Sequence, residues 1–148
     1  MGLVWSLLGI LSGALIAAQA PINAELGRAL GFPVAAAAAS FVAGAIALVA
    51  ITLAMSQAQG VAIAWRDPPL WLLVTGGLLG AAFVTAVIIL TPKLGTAATM
   101  AFIVSGQLLT GLIIDHLGLF NLAVREITLG RVAGAVLLLA GALLIRVY

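Results

Sequence analysis

Long stretches without a single charged residue set the pattern of this chain: positions 1–24, 29–65, 68–92 and 94–114 carry none. Each is long enough to cross a bilayer as a helix, which takes roughly 20 residues. The runs are continuously apolar and lack the alternating polarity of a membrane-spanning β-strand. The breaks between them are equally clear. Gly31-Phe32-Pro33 reads as a tight turn, because glycine relaxes the backbone and proline disfavours helix at the residue before it. Trp65-Arg66-Asp67 suits the membrane–water boundary, and Pro68-Pro69 opens the next helix. Thr91-Pro92-Lys93 is read as another turn, and 118–126 as a short interfacial connection. The expected elements are five transmembrane helices at about 3–29, 34–55, 70–90, 95–117 and 127–145, with Pro21 bending the first. The fold class is all-α integral membrane. The connections are short, so the whole of 1–148 is expected to form one transmembrane domain in contact with the lipid bilayer.

Composition agrees. Of 148 residues, 65% are hydrophobic and 7% charged, where a soluble domain carries about a quarter charged residues. The absence of cysteine removes disulfides and thiolate chemistry. A lone histidine, His116, makes no metal cluster, so no metal and no cofactor are expected. A net charge of +2 without a basic patch gives no sign of nucleic acid as a partner. Paired acids or a nucleophile with its base cannot be assembled either, so an enzyme is the least expected class. Ala18-Gln19-Ala20 has the small-x-small form of a signal-peptide cleavage site, but no positive charge precedes it. The segment 1–20 is therefore expected to stay as the first span.

The placement of charge bears on assembly. With five helices, one side of the membrane holds Arg66, Arg125 and Arg131, the last snorkelling outward as an anchor in the headgroups. The other side holds Arg28, Lys93 and Arg146. Three against three leaves almost no positive-inside bias. The chain is expected to insert both ways and to form an antiparallel homodimer of ten helices, the symmetry on which many transporters are built. The alternatives are a single orientation set by subtler signals, or a partner of opposite bias. Small residues that let helices approach recur at Gly9/Gly13, Ser40/Gly44, Gly76/Gly80 and Gly130/Gly134. Gly134 and Gly141, two turns apart on the fifth helix, are the expected dimer seam.

Polar residues inside the spans carry the candidate chemistry, since they are costly in lipid and face protein or water. On the first helix Trp5, Gly9, Ser12, Ile16, Gln19 and Asn23 share one stripe; on the fourth, Thr96, Thr99, Ile103, Gln107, Thr110 and Ile114 share another. The two stripes could line a central cavity of amides and hydroxyls, or bond only to neighbouring helices. Trp5, Ser12, Gln19, Asn23, Gln107 and Thr110 are the candidate substrate-binding residues. Asp115, near the end of the fourth helix, is the candidate coupling residue: burial beside apolar neighbours would make it a proton carrier. Its alternative is an interfacial carboxylate, solvated or paired with Arg125. Glu25 and Arg28, three apart, are read as a local ion pair.

These residues resemble a known family. Gln19-Ala20-Pro21-Ile22-Asn23-Ala24, Gly31-Phe32-Pro33 and Ser40-Phe41-Val42-Ala43-Gly44 are similar to the YdcZ family of small bacterial inner-membrane proteins. So are Gly76-Gly77-Leu78-Leu79-Gly80 and Pro92-Lys93-Leu94-Gly95-Thr96-Ala97. The most specific match is Gln107-Leu108-Leu109-Thr110-Gly111-Leu112-Ile113-Ile114-Asp115, followed by Arg131-Val132-Ala133-Gly134. The resemblance runs through nearly the whole chain and departs in the alanine-rich second helix. It implies the drug/metabolite transporter superfamily, five-helix halves acting as opposed pairs or fused chains, and transport by alternating access at the inner (cytoplasmic) membrane. Gln19, Asn23, Gln107 and Asp115 match positions in the family's motifs. The small multidrug exporters differ, with four helices and a central glutamate in the first. The resulting expectation is a secondary transporter of a small organic metabolite or drug-like solute. The rivals are a passive channel of dual topology and a structural subunit.

Overall fold

The structure, a computed structural model, describes residues 2–148; the part of the expected first span at Met1 lies outside the described residues. Five α-helices follow in order: α1 (Gly2–Ala29), α2 (Pro33–Gln59), α3 (Leu70–Leu94), α4 (Thr96–Leu117) and α5 (Leu129–Val147). A single 3-10 turn, Leu119–Asn121, lies between α4 and α5. All five helices are long and apolar enough to cross a membrane. The chain divides into two compact units at Pro92/Lys93, the first built from α1 to α3 and the second from α4 and α5.

The helix ends follow from local chemistry. Proline at the first position of α2 loses no helical hydrogen bond, and Phe32 before it is extended. At the other end Gly60 sits in the left-handed region, φ 64°, its N–H donating to the Gln57 carbonyl while Val61 N–H donates to Ser56. This Schellman closure carries α2 to Gln59, one turn beyond the Met55 expected from the run of apolar residues.

The largest correction concerns Pro92. It does not turn the chain: α3 runs through it to Leu94, and the break comes at Gly95, φ 84°. A proline in the last turn removes one main-chain donor without ending the helix at once. Just before it, Thr91 is buried and its hydroxyl finds no partner among the described residues.

Six other intramembrane hydroxyls behave differently. Ser6, Ser12, Thr75, Thr85, Thr99 and Ser105 each donate to the carbonyl four residues earlier in the same helix. A hydroxyl bonded within its own turn needs no neighbour, which suits an apolar solvent.

In the first unit the helices meet where side chains are smallest. Ala36 and Ala37 of α2 pack with Val84 and Ile88 of α3, flanked by Leu26 and Phe83. A Cβ at Gly27 would lie 2.8 Å from Ile88 Cγ2, so this approach of α1 to α3 requires glycine. At Gly80 a Cβ would lie 3.1 Å from Phe41 Cζ. By contrast, a Cβ at Gly9, Gly13, Gly76, Gly130, Gly134 or Gly141 would meet nothing within 4 Å among the described residues. In the second unit Ala135 and Ala142, two turns apart on α5, are buried.

Candidate functional site

In the second unit Gln107, Gly111 and Asp115 repeat at four-residue steps and so share one face of α4. With Leu108 and Leu112, and with Arg131 and Gly134 of α5, they line a groove of about 400 Å³. That volume falls in the range of small-molecule sites. The bare backbones of Gly111 and Gly134 keep the groove open, since a Cβ at either would meet nothing within 4 Å among the described residues.

The charged end of the groove is tightly organised. Arg131 Nη2 donates to Asp115 Oδ2 at 3.0 Å, with about a third of each side chain exposed (28% and 33%). Arg131 Nη1 reaches the Arg125 main-chain carbonyl at 3.4 Å, and the Arg125 N–H donates to the Asp115 main-chain carbonyl at 2.9 Å. Thr128 caps α5, accepting from the Arg131 N–H at 3.4 Å. The chain can return this sharply because α4 ends at Gly118, φ 60°, where a Cβ would lie 2.7 Å from Val124 Cγ2. Phe120 and Asn121 also hold positive φ in the turn that follows.

Two expectations are corrected here. Asp115 pairs with the side chain of Arg131 and meets Arg125 only through the main chain. Arg131 points into the groove beside Asp115 and is not free to anchor α5 among headgroups. The setting of Asp115 is thus a partly exposed ion pair and not an isolated carboxyl among apolar neighbours. Thr110 is exposed and lies outside the groove's lining.

The first unit carries a second groove, of about 440 Å³, lined by Ile16 and Gln19 of α1, by Ser40 to Leu48 along one face of α2, and by Gly80, Phe83 and Val84 of α3. Gln19 Nε2 donates to Ser40 Oγ at 3.5 Å, the long limit of a hydrogen bond. Phe41 stands over Gly80 on the same lining. Asn23 is buried beside Ala20, Ala24 and Gly27 and is absent from this lining. Trp5 is 69% exposed, and Ser12 spends its hydroxyl proton on the Leu8 carbonyl. Neither belongs to the groove.

The polar stripes of α1 and α4 therefore resolve into two kinds of residue. Gln19 and Gln107 present amides to grooves, whereas Ser12 and Thr99 are satisfied within their own helices. The sequence reading passed over Arg131 as a site residue and treated Ser40 only as a packing position.

The family model described as "Putative inner membrane exporter, YdcZ" matches residues 4–144. The chain belongs to the YdcZ family. Nothing among curated proteins or solved structures matches it. Family membership and five apolar helices make this a protein of the inner membrane, and they support a transporter in coarse terms. The motif on which the YdcZ resemblance was most specific, Gln107 to Asp115, is the α4 side of the charged groove. The following Arg131 to Gly134 segment supplies its α5 side.

The Glu25–Arg28 ion pair expected near the end of α1 is formed, and both side chains are largely exposed.

Proposed function

We propose that this YdcZ-family chain is a secondary transporter exporting a small organic solute by alternating access, as an antiparallel homodimer. The observation that carries the reading is the α4–α5 groove. An amide, a carboxylate and a guanidinium line a cavity of solute size on helices that are otherwise apolar. Gln107 stands near the middle of α4, and a polar side chain within a membrane span is expensive and marks a transport path. Gln107 is the principal hydrogen-bonding residue of the α4–α5 groove; Gln19 lines the separate groove of the first unit. Asp115 couples transport by exchanging partners. Loop charge close to balance, two basic residues against three once Arg131 is paired in the groove, supports the dimer, with the open backbone of Gly141 on its seam. No enzymatic activity is proposed.

The test is flux. Purified protein is reconstituted in liposomes loaded with a mixed panel of labelled amino acids, organic acids and polyols, and efflux and counterflow are followed. Saturable counterflow of at least one solute, abolished by Gln107→Ala without loss of assembly, is the expected result. Full flux in that variant would remove Gln107 from the path. Fast flux that rises linearly with concentration and shows no counterflow would replace the carrier with a pore.

A further inference from the structure

The Asp115–Arg131 pair opposes the helices that carry it. Asp115 stands in the last turn of α4, where the helix dipole favours a cation. Arg131 stands in the first turn of α5, where the dipole favours an anion. A pair whose only task was to join two helix ends would gain from the reverse arrangement. The arrangement present places a guanidinium beside an electropositive helix end, and both are turned to a groove. With the Asp115 side chain swung away, that combination attracts an anion.

The guanidinium is also held independently of its carboxylate. Nη1 reaches the Arg125 carbonyl in a long contact of 3.4 Å, and the Arg125 N–H is held in turn on the main chain of Asp115. Swinging the Asp115 side chain away leaves both main-chain contacts in place. Among the described residues only two of the five guanidinium N–H groups are engaged, which leaves the fork able to accept a carboxylate in two-point fashion.

We propose that Arg131 is the carboxylate-binding residue of the groove, and that Asp115 is a built-in occupant which an incoming small organic acid displaces. The solute's carboxylate takes the place of Asp115 on Arg131. Its carbon skeleton lies along Leu108, Leu112 and the open backbones of Gly111 and Gly134, and its far polar end reaches Gln107. This substrate class rests on the reading of the groove as a transport path, but it is tested by binding alone.

The experiment is calorimetric titration of the purified protein in lipid nanodiscs at fixed pH, with empty discs subtracted. The probes are benzoate and its neutral isostere benzamide. The native protein should prefer benzoate. Asp115→Asn removes the internal competitor: if Asp115 holds the guanidinium nine-tenths of the time, benzoate should bind about tenfold more tightly, with benzamide unchanged. Arg131→Gln should erase the preference. Arg131→Lys, which keeps the charge and loses the fork, should weaken benzoate binding and still fold if the glutamine variant does not. Equal binding of the two probes, no binding of either, or benzoate binding unchanged or weakened in Asp115→Asn overturns the proposal. In those cases Gln107-dependent flux of a neutral solute would still stand as evidence of transport.

Discussion

Arg131 and Asp115, sixteen residues apart in sequence, are joined by a 3.0 Å ion pair that closes one end of a solute-sized groove. The pair lies between the limits for which energies are known. Exposed ion pairs contribute about 0.2–1 kcal/mol, and breaking a buried one costs about 3–5 kcal/mol.

With two-thirds of each side chain covered, a double-mutant cycle on Asp115→Asn and Arg131→Gln should give a coupling energy of about 1–2 kcal/mol, between those limits. Denaturant unfolding in mild detergent measures it. A coupling near zero would mean that the contact contributes nothing to holding α4 to α5.

Gly27 should be the least replaceable glycine of the first three helices. Its missing Cβ makes room for Ile88 Cγ2, so Gly27→Ala should destabilise the unit by about 1–3 kcal/mol, the usual cost of overpacking. Adding Ile88→Ala should recover part of that loss, a non-additivity expected of touching residues. Gly9→Ala and Gly13→Ala, which meet open space, should leave unfolding unchanged. Equal sensitivity at all three positions would contradict the packing described.

Gly80→Ala should alter the first groove more than the fold. The nearest atoms are the far end of the Phe41 ring, which can turn aside, so the stability change should stay under about 1 kcal/mol. The ring would move on the lining it shares with Gln19 and Ser40. Counterflow should therefore change, and Phe41→Leu in the same chain should restore it. Unaltered counterflow in Gly80→Ala would take Phe41 out of the transport path.

Orientation is open to direct measurement because the chain has no cysteine. A single cysteine appended after Tyr148 should be labelled by an impermeant thiol reagent in about half of the molecules in intact cells, as expected for loop charge close to balance. Labelling of all or none would replace the antiparallel homodimer with a single orientation or a partner of opposite bias.

The helices were legible because a membrane span leaves a local record, about twenty residues without charge. Their ends were legible only where a residue forbids helix. Pro33 was such a case; Pro92 was not, because the last turn of a helix has donors to spare and only Gly95 breaks it. Gln107 could be found from its depth in an apolar run. The partner of Asp115 could not, because it depends on the path from Gly118 through two further left-handed residues to Thr128. Proximity in sequence favoured Arg125, and the fold chose Arg131. One signal was present all the same: an acid ending one helix and a base opening the next each contradict their dipoles. Glycine spacing was informative at Gly80 of the Gly76/Gly80 repeat and silent about Gly27. The repeats at Gly9/Gly13 and Gly130/Gly134 mark faces bare within this chain, while the contacts that need glycine, at Gly27 and Gly80, depend on which side chain arrives from another helix.

The hydroxyls that bond back to their own helix have a consequence for biogenesis. Ser6, Ser12, Thr75, Thr85, Thr99 and Ser105 complete their hydrogen bonds as soon as one turn has wound, before any neighbour exists. On α1, α3 and α4 these six hydroxyl protons are thus engaged while a span waits singly in lipid, in whichever direction it entered, and do not draw it into a wrong pairing. Thr91 differs from these six, being buried and unmatched among the described residues. The end of α3 is accordingly the place where assembly must await something other than the helix itself.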